Sequence, residues 1–135
     1  GSWAPTRMAW SMDNRTAGYR IVGHGPSFRI ENRMPGADAN PYLAFSAMIA
    51  AGLAGIEEKA RCPNAYEGNA YTDASLPSLP TSLEHAVNLL DQSKLARDTF
   101  GDKVVNFYVH TARLEVQAYA GAVTDWERQR YFERI

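Results

Sequence analysis

The stretch Ser27–Gly52, SFRIENRMPGADANPYLAFSAMIAAG, decides the reading of this chain. It opens as a strand in which Arg29, Glu31 and Arg33 fall at alternate positions, so all three project from one face at spacings of ~6.5 Å. Phe28 and Ile30 take the other face. A cation, an anion and a cation in a row on a rigid strand can hold a divalent metal beside an anionic substrate. After a turn at Met34-Pro35-Gly36, Asn40 is placed to cap a helix and Pro41 to occupy its first position, where a missing N–H does no harm.

Upstream, Tyr19 to His24 alternates, with Arg20, Val22 and His24 on one side and Tyr19, Ile21 and Gly23 on the other, before the breaker Gly25-Pro26. With Phe28 to Arg33 this predicts an antiparallel β-hairpin, and His24 is read as a polar turn residue. Residues 1–16 read as an extended or irregular approach ending in Asp13-Asn14-Arg15.

Helical signals follow downstream. A first helix is expected over Pro41–Lys59, roughly 28 Å long if unbroken. Residues 61–80 hold Gly68, several prolines and polar residues, and read as a long loop. Thr81 with Glu84 forms a capping-box pattern ahead of Leu83, Val87 and Leu90. Ser93–Phe100 is a further helical stretch stopped by Gly101. Asp102–Val123 is a long helix with Val105, Tyr108, Ala112, Val116 and Tyr119 along one stripe, read as core or subunit interface. Thr124 and Glu127 repeat the capping box before a last helical turn from Asp125 to about Phe132. The order predicts an α+β fold, a β-hairpin followed by a helical C-terminal region.

The 135 residues suffice for one domain, and 14 basic against 15 acidic residues, interspersed, argue against a general nucleic-acid binder. Phosphate recognition must therefore be local. Cys62 is the single cysteine, so an internal disulfide is excluded and a cytoplasmic setting is expected. His24, His85 and His110 lie far apart, with no cysteine pair to join them in a structural zinc site. The apolar run Tyr42–Ile56 is shorter than the ~20 residues a bilayer requires, and reads as a buried helix instead of a membrane span. Trp3-Ala4-Pro5 continues like the interior of a longer protein, so the chain is expected to be a fragment.

Arginine is the main chemical signal: Arg15, Arg20, Arg29 and Arg33 gather around the carboxylate of Glu31. Guanidinium groups are always charged and fork onto phosphate or carboxylate oxygens, so several converging groups would stabilise a triphosphate and the charge of phosphoryl transfer. Glu31 would then be an oxygen ligand for Mg²⁺. A solvated strand face with cross-strand Arg–Glu pairs is the alternative left open by composition.

DNRTAGYRI (13–21), followed by SFRIENRMPGADANPYLAFSAMIAAGLAGI, resembles the C-terminal catalytic region of the glutamine synthetase family, whose members read much like NRSA…RI…RxExRxP…A-NPYL…A…AGL-GI. The match is continuous over about residues 3–60, and the helical remainder is compatible with it. The resemblance implies that residues 1–135 are the C-terminal portion of that catalytic domain, with strands and active-site loops in 1–36 and mainly helices in 37–135. It implies that Arg15 faces the phosphate in transfer, that Arg20 and Arg29 bind ATP phosphates, that Glu31 ligates Mg²⁺ or Mn²⁺, and that Arg33 lies near glutamate and the acyl phosphate.

The implied reaction has two steps: ATP phosphorylates the γ-carboxylate of glutamate, and ammonia or another amine displaces the phosphate. Members of a divergent branch couple glutamate to polyamines or alkylamines, and the DNRTAGYRI and GHGPSFRIENR variants are closer to that branch. The resemblance further implies a homo-oligomer, ring-like and dodecameric in the family, with no nucleic-acid or membrane partner. Other metal ligands and the substrate flap would come from the N-terminal part of the same protein, so this fragment alone is expected to be inactive. Gly25-Pro26-Ser27 departs from a basic residue common in the family. Tyr71 occupies a position like that of a tyrosine adenylylated in some bacterial members, although NAYTDASLP departs from their usual NLYDLP. A non-catalytic anion-binding or assembly module is the reading from another class.

Overall fold

A computed structural model describes residues 3–134. The chain divides into two units, residues 1–81 and 82–135. The first is built on a three-stranded sheet in the order β1 (Trp10–Met12), β2 (Tyr19–Val22), β3 (Arg29–Asn32). β2 and β3 form the expected antiparallel hairpin, pairing Tyr19 with Asn32, Arg20 with Glu31, Ile21 with Ile30 and Val22 with Arg29. A short 3₁₀ turn, Gly25–Ser27, joins them directly after His24. Gly23 makes that turn possible, because at its φ of 85° a Cβ would lie 2.1 Å from the Ser27 carbonyl oxygen.

β1 corrects the expectation of an irregular approach over residues 1–16. It runs parallel to β2, with Trp10 beside Tyr19 and Met12 beside Ile21. Parallel neighbours usually need a crossover of about a dozen residues or more. Here Asp13 to Gly18 suffice, because strands of three and four residues leave little distance to retrace. Three residues are also too few to display an alternation, which is why the sequence pattern missed this strand.

The long loop after residue 60 is as expected, but it is tied to β1 and to the segment that precedes it. Tyr66 N–H donates to the Trp10 carbonyl (2.9 Å), Met8 N–H to that of Pro77 (2.8 Å) and Leu79 N–H to that of Thr6 (3.0 Å). The Ser11 hydroxyl, buried, donates to the Tyr66 carbonyl at 2.6 Å. The Tyr66 bond pairs the Trp10 carbonyl on the edge of β1, and the other main-chain bonds pair the segment that leads into it.

Helix α1 spans Pro41–Glu57, and the Asn40 side chain accepts from Tyr42 N–H and Leu43 N–H, the capping predicted from Asn-Pro. The expectation of a buried helix is not met within this chain. Tyr42 is 82% exposed and Ile56 74%, and Phe45, Ile49 and Leu53 stand open as well. These five recur at intervals of three and four residues and so share one stripe of the helix, an apolar face left without a partner in this chain.

The second unit contains α2 (Leu83–Gln92), α3 (Lys94–Phe100), α4 (Asp102–Ala120) and α5 (Asp125–Tyr131). Val87, Val105 and Val109 form its buried centre, flanked by Leu90, Ala96, Phe100 and Ala112. Val109 was outside the expected stripe, and Tyr119 of that stripe is 74% exposed. The cap of α2 is Ser82, whose side chain accepts from His85 N–H, one residue beyond the expected Thr81. The Thr124–Glu127 capping box forms as predicted.

An ion network stitches these helices. Asp91 accepts from Arg113 Nη2 at 2.7 Å and from Arg97 Nη2, while Arg97 Nη1 reaches Asp102 (2.7 Å) and Asn106 (3.0 Å). No helix among the described residues is long and apolar enough to cross a membrane.

Candidate functional site

Register and alternation give the sheet two unlike faces. Ser11, Arg20, Val22, Arg29 and Glu31 share one; Trp10, Met12, Tyr19, Ile21, Ile30 and Asn32 share the other. The second face is largely apolar and borders two cavities. One, about 440 Å³, is lined by residues including Trp10, Tyr19, Met34, Tyr66 and Leu76; the other, about 260 Å³, lies between Ile30 and the Phe45 and Met48 side chains of α1.

The first face carries the charge. Arg20 Nη1 donates to Glu31 Oε2 at 2.9 Å and Arg29 Nη2 to Glu31 Oε1 at 2.7 Å, so both carboxylate oxygens are held by guanidinium groups. Arg20 Nη2 also donates to Asp13 Oδ1. The result is a line of alternating charge: Asp13, Arg20, Glu31, Arg29. The Arg20 bond above all, and then that of Arg29, holds the Glu31 carboxyl below its ordinary pKa against the opposing pull of desolvation. The Arg20 pKa is raised, first by Asp13 and then by Glu31, with desolvation working against both. Its Nε is buried without a hydrogen-bond partner among the described residues.

Three of the five residues singled out in the sequence are therefore in one cluster: Arg20, Arg29 and Glu31. The cross-strand Arg–Glu pairing of the bland alternative is real, and it is the same contact. Arg15 lies apart, at the second position of the turn Asn14–Ala17 closed by Ala17 N–H to the Asn14 carbonyl (3.4 Å), with its side chain exposed. The Asn14 side chain sets the turn by accepting from Thr16 N–H at 2.9 Å. Arg33 follows β3 and turns its guanidinium onto main-chain carbonyls, those of Trp3 (2.8 Å), Ala17 (3.3 Å) and Arg15.

Sequence reasoning gave Asp13 no role, yet its carboxylate is one of the two that grip Arg20. The signal was its place beside Asn14 and Arg15, where a residue at φ 46° must begin the return to β2. The Tyr71 hydroxyl donates to the Trp3 carbonyl at 3.1 Å, with the Arg15 carbonyl at 3.5 Å.

As to a metal, no group of three or more His, Cys, Asp or Glu side chains among the described residues is gathered to hold one. Glu31 is a single carboxylate among arginines. That donor set fits Mg²⁺ only as one ligand of several, in the manner of ions bound by one or two carboxylates plus phosphates.

Known proteins were compared with this chain. A family model described as "Glutamine synthetase, catalytic domain" matches residues 1–131. A gamma-glutamylethanolamide synthetase of Streptomyces coelicolor is 53% identical over the whole chain, which spans 29% of that protein. A glutamate–isopropylamine ligase of a Pseudomonas species is 38% identical, covering 99% of this chain and 30% of its own length. Among solved structures, one titled as a GmaS/ADP complex superposes with a TM-score of 0.87 at 30% identity, over 97% of this chain and 30% of that one. The chain thus spans under a third of the length of these relatives. A match running from the first residue to residue 131, and carrying the Asn-Arg-Thr-Ala turn, the Arg-x-Glu-x-Arg strand and the Asn-Pro-Tyr-Leu cap in order, places the chain in the glutamine synthetase catalytic-domain family.

Proposed function

We propose that this chain is the C-terminal part of the catalytic domain of an ATP-dependent ligase that joins an amine to the γ-carboxylate of glutamate. The observation that carries the reading is the Arg20–Glu31–Arg29 cluster on one sheet face, within the family's Arg-x-Glu-x-Arg strand. In the first step a γ-carboxylate oxygen of glutamate attacks the terminal phosphorus of ATP, giving γ-glutamyl phosphate and ADP. In the second the amine nitrogen attacks the acyl carbon, phosphate leaves, and the nitrogen loses a proton.

Arg20 and Arg29 are assigned to the ATP phosphates, where two guanidinium groups can each offer a fork to non-bridging oxygens. Arg15, exposed on its turn, is assigned to the phosphoryl group in transfer. Arg33 is assigned to the glutamate side, close behind Arg15. Glu31 would hold Mg²⁺ or Mn²⁺ together with phosphate oxygens and carboxylates from elsewhere in the protein, and the ion would draw charge from the phosphates. Glu31 would have to give up guanidinium bonds for this, while Arg20 and Arg29 turn to the nucleotide. Closing the site with the rest of the protein and with neighbouring copies would exclude water from the acyl phosphate.

Ammonia and a small primary amine are the competing acceptors. The 53% identity to a protein named for ethanolamide synthesis, against 34–38% for proteins named glutamine synthetase, supports the small amine. The test uses the full-length protein, assayed for ATP-dependent phosphate release with glutamate and ammonia, ethanolamine, isopropylamine or putrescine. ATP is also titrated with and without Mg²⁺ in wild type and Glu31→Ala. Amide formation with one amine and a metal-dependent ATP affinity that Glu31→Ala weakens are expected. Turnover that is indifferent to both Glu31→Ala and Arg29→Ala would overturn the reading.

A further inference from the structure

The turn that presents Arg15 is gripped from the far side of the sequence. Asn14 Nδ2 donates to the Gly68 carbonyl at 2.8 Å. Ala70 N–H donates to Thr16 Oγ1 at 2.9 Å, and that hydroxyl donates in turn to Asn14 Oδ1 at 2.7 Å. The Tyr71 hydroxyl donates to the Trp3 carbonyl, with the Arg15 carbonyl at the edge of reach. Those same two carbonyls also accept from Arg33. Ala17 and Ala70 are fully buried where the two segments meet. Gly68 has a φ of 117°, a backbone state that L side chains rarely adopt, and its carbonyl is the one that Asn14 reaches.

Every bond in this set ends on the backbone or on the short side chains of the turn, none on the Arg15 guanidinium. The clasp therefore holds the main chain of the turn while the charged side chain stays exposed. We infer that Gly68–Tyr71 is the positioning segment for Arg15, with the hydroxyls of Tyr71 and Thr16 as its two points of control. This rests on the reading that Arg15 faces the phosphoryl group in transfer. Tyr71 is a positioning residue, acting through the Arg15 and Trp3 carbonyls.

The effect belongs in the chemical step. A displacement of about 1 Å at a group that stabilises a transition state can cost up to ~100-fold in rate, with little change in ground-state binding. In the full-length protein, Tyr71→Phe and Thr16→Val each remove one hydroxyl and little volume. Each is expected to lower kcat about tenfold while the KM for ATP stays within about twofold. Thr16→Ser keeps the hydroxyl and should retain the wild-type rate. In an Arg15→Ala background, Tyr71→Phe should cost nothing further, because its effect runs through the missing side chain.

Hydrogen exchange supplies a readout that does not depend on activity. The peptide covering residues 13–18 should exchange faster in Tyr71→Phe and Thr16→Val, with peptides from α2 to α4 unchanged. Unchanged exchange in 13–18, or losses of rate that multiply with those of Arg15→Ala, would overturn the inference. If the wild-type protein ligates and Arg15→Ala slows it, but Tyr71→Phe and Thr16→Val do not, the positioning role alone falls. If the wild-type protein catalyses no ATP-dependent ligation, the functional reading falls and the inference falls with it.

Discussion

Arg20 and Glu31 stand directly opposite each other on β2 and β3, and their side chains close at 2.9 Å on the same face of the sheet. The Arg20 side chain is 16% exposed, so the guanidinium is fixed between Glu31 on one side and Asp13 on the other. Lysine offers one compact ammonium and cannot span two carboxylates in a plane. Arg20→Lys should therefore raise the KM for ATP by about tenfold, with thermal stability also reduced. Steady-state kinetics and a melting curve on the full-length protein measure both.

If Arg20 takes an ATP phosphate as proposed, Asp13 would compete with that phosphate for it. Its side chain is 75% exposed, and it occupies Nη2 of the same guanidinium that Glu31 holds through Nη1. Asp13→Asn keeps the shape and removes the charge, and should tighten ATP binding roughly threefold, with a steeper dependence on salt. Calorimetric titration at two ionic strengths reports this directly. Unchanged or weaker affinity would show that Asp13 supports the site instead of screening it.

The second unit should weaken in acid through Asp91. Its pKa is lowered in the fold, first by the bond from Arg113 and then by Arg97, with desolvation opposing. A depressed carboxylate contributes stability above its unfolded value, about 3.9, and loses that contribution as pH falls through the lower folded value. Melting midpoints followed from pH 6 down to about 2 should fall more steeply in wild type than in Asp91→Asn, which lacks the titrating group.

Val105 is 2% exposed at the meeting of α2, α3 and α4, packed with Val87 and Val109. Val105→Ala removes two methyl groups from a site with little freedom to collapse, and should cost about 2 kcal/mol. Urea denaturation should show a lower midpoint with an unchanged slope. Asn40→Ala, which strips the cap from α1, should cost about 1 kcal/mol, visible as a smaller shift in the same experiment.

The hairpin, the capped start of α1 and the Arg20–Glu31–Arg29 cluster were legible because each rests on local rules. Strand alternation placed the charges on one face, and Asn-Pro marked the helix start. β1 was not legible, since Trp10-Ser11-Met12 is too short to show a period and its pairing depends on Tyr66, 56 residues away along the chain from Trp10. The openness of α1 was likewise hidden: a run of apolar residues states that a helix needs covering, and is silent on which chain segment does so. Arg33 and Tyr71 were readable as chemistry-bearing residues. Their use as hydrogen-bond donors to main-chain carbonyls follows from tertiary proximity between Trp3, Arg15 and the distant loop, which no spacing encodes.

The six residues from Asp13 to Gly18 act as a ruler between two parallel strands. Substitutions there trade one side chain for another, but a single insertion or deletion would slide a different residue onto the crest that Arg15 now occupies. Protein engineers could vary the spelling of this link with some freedom. Its length admits no editing without re-aiming the crest.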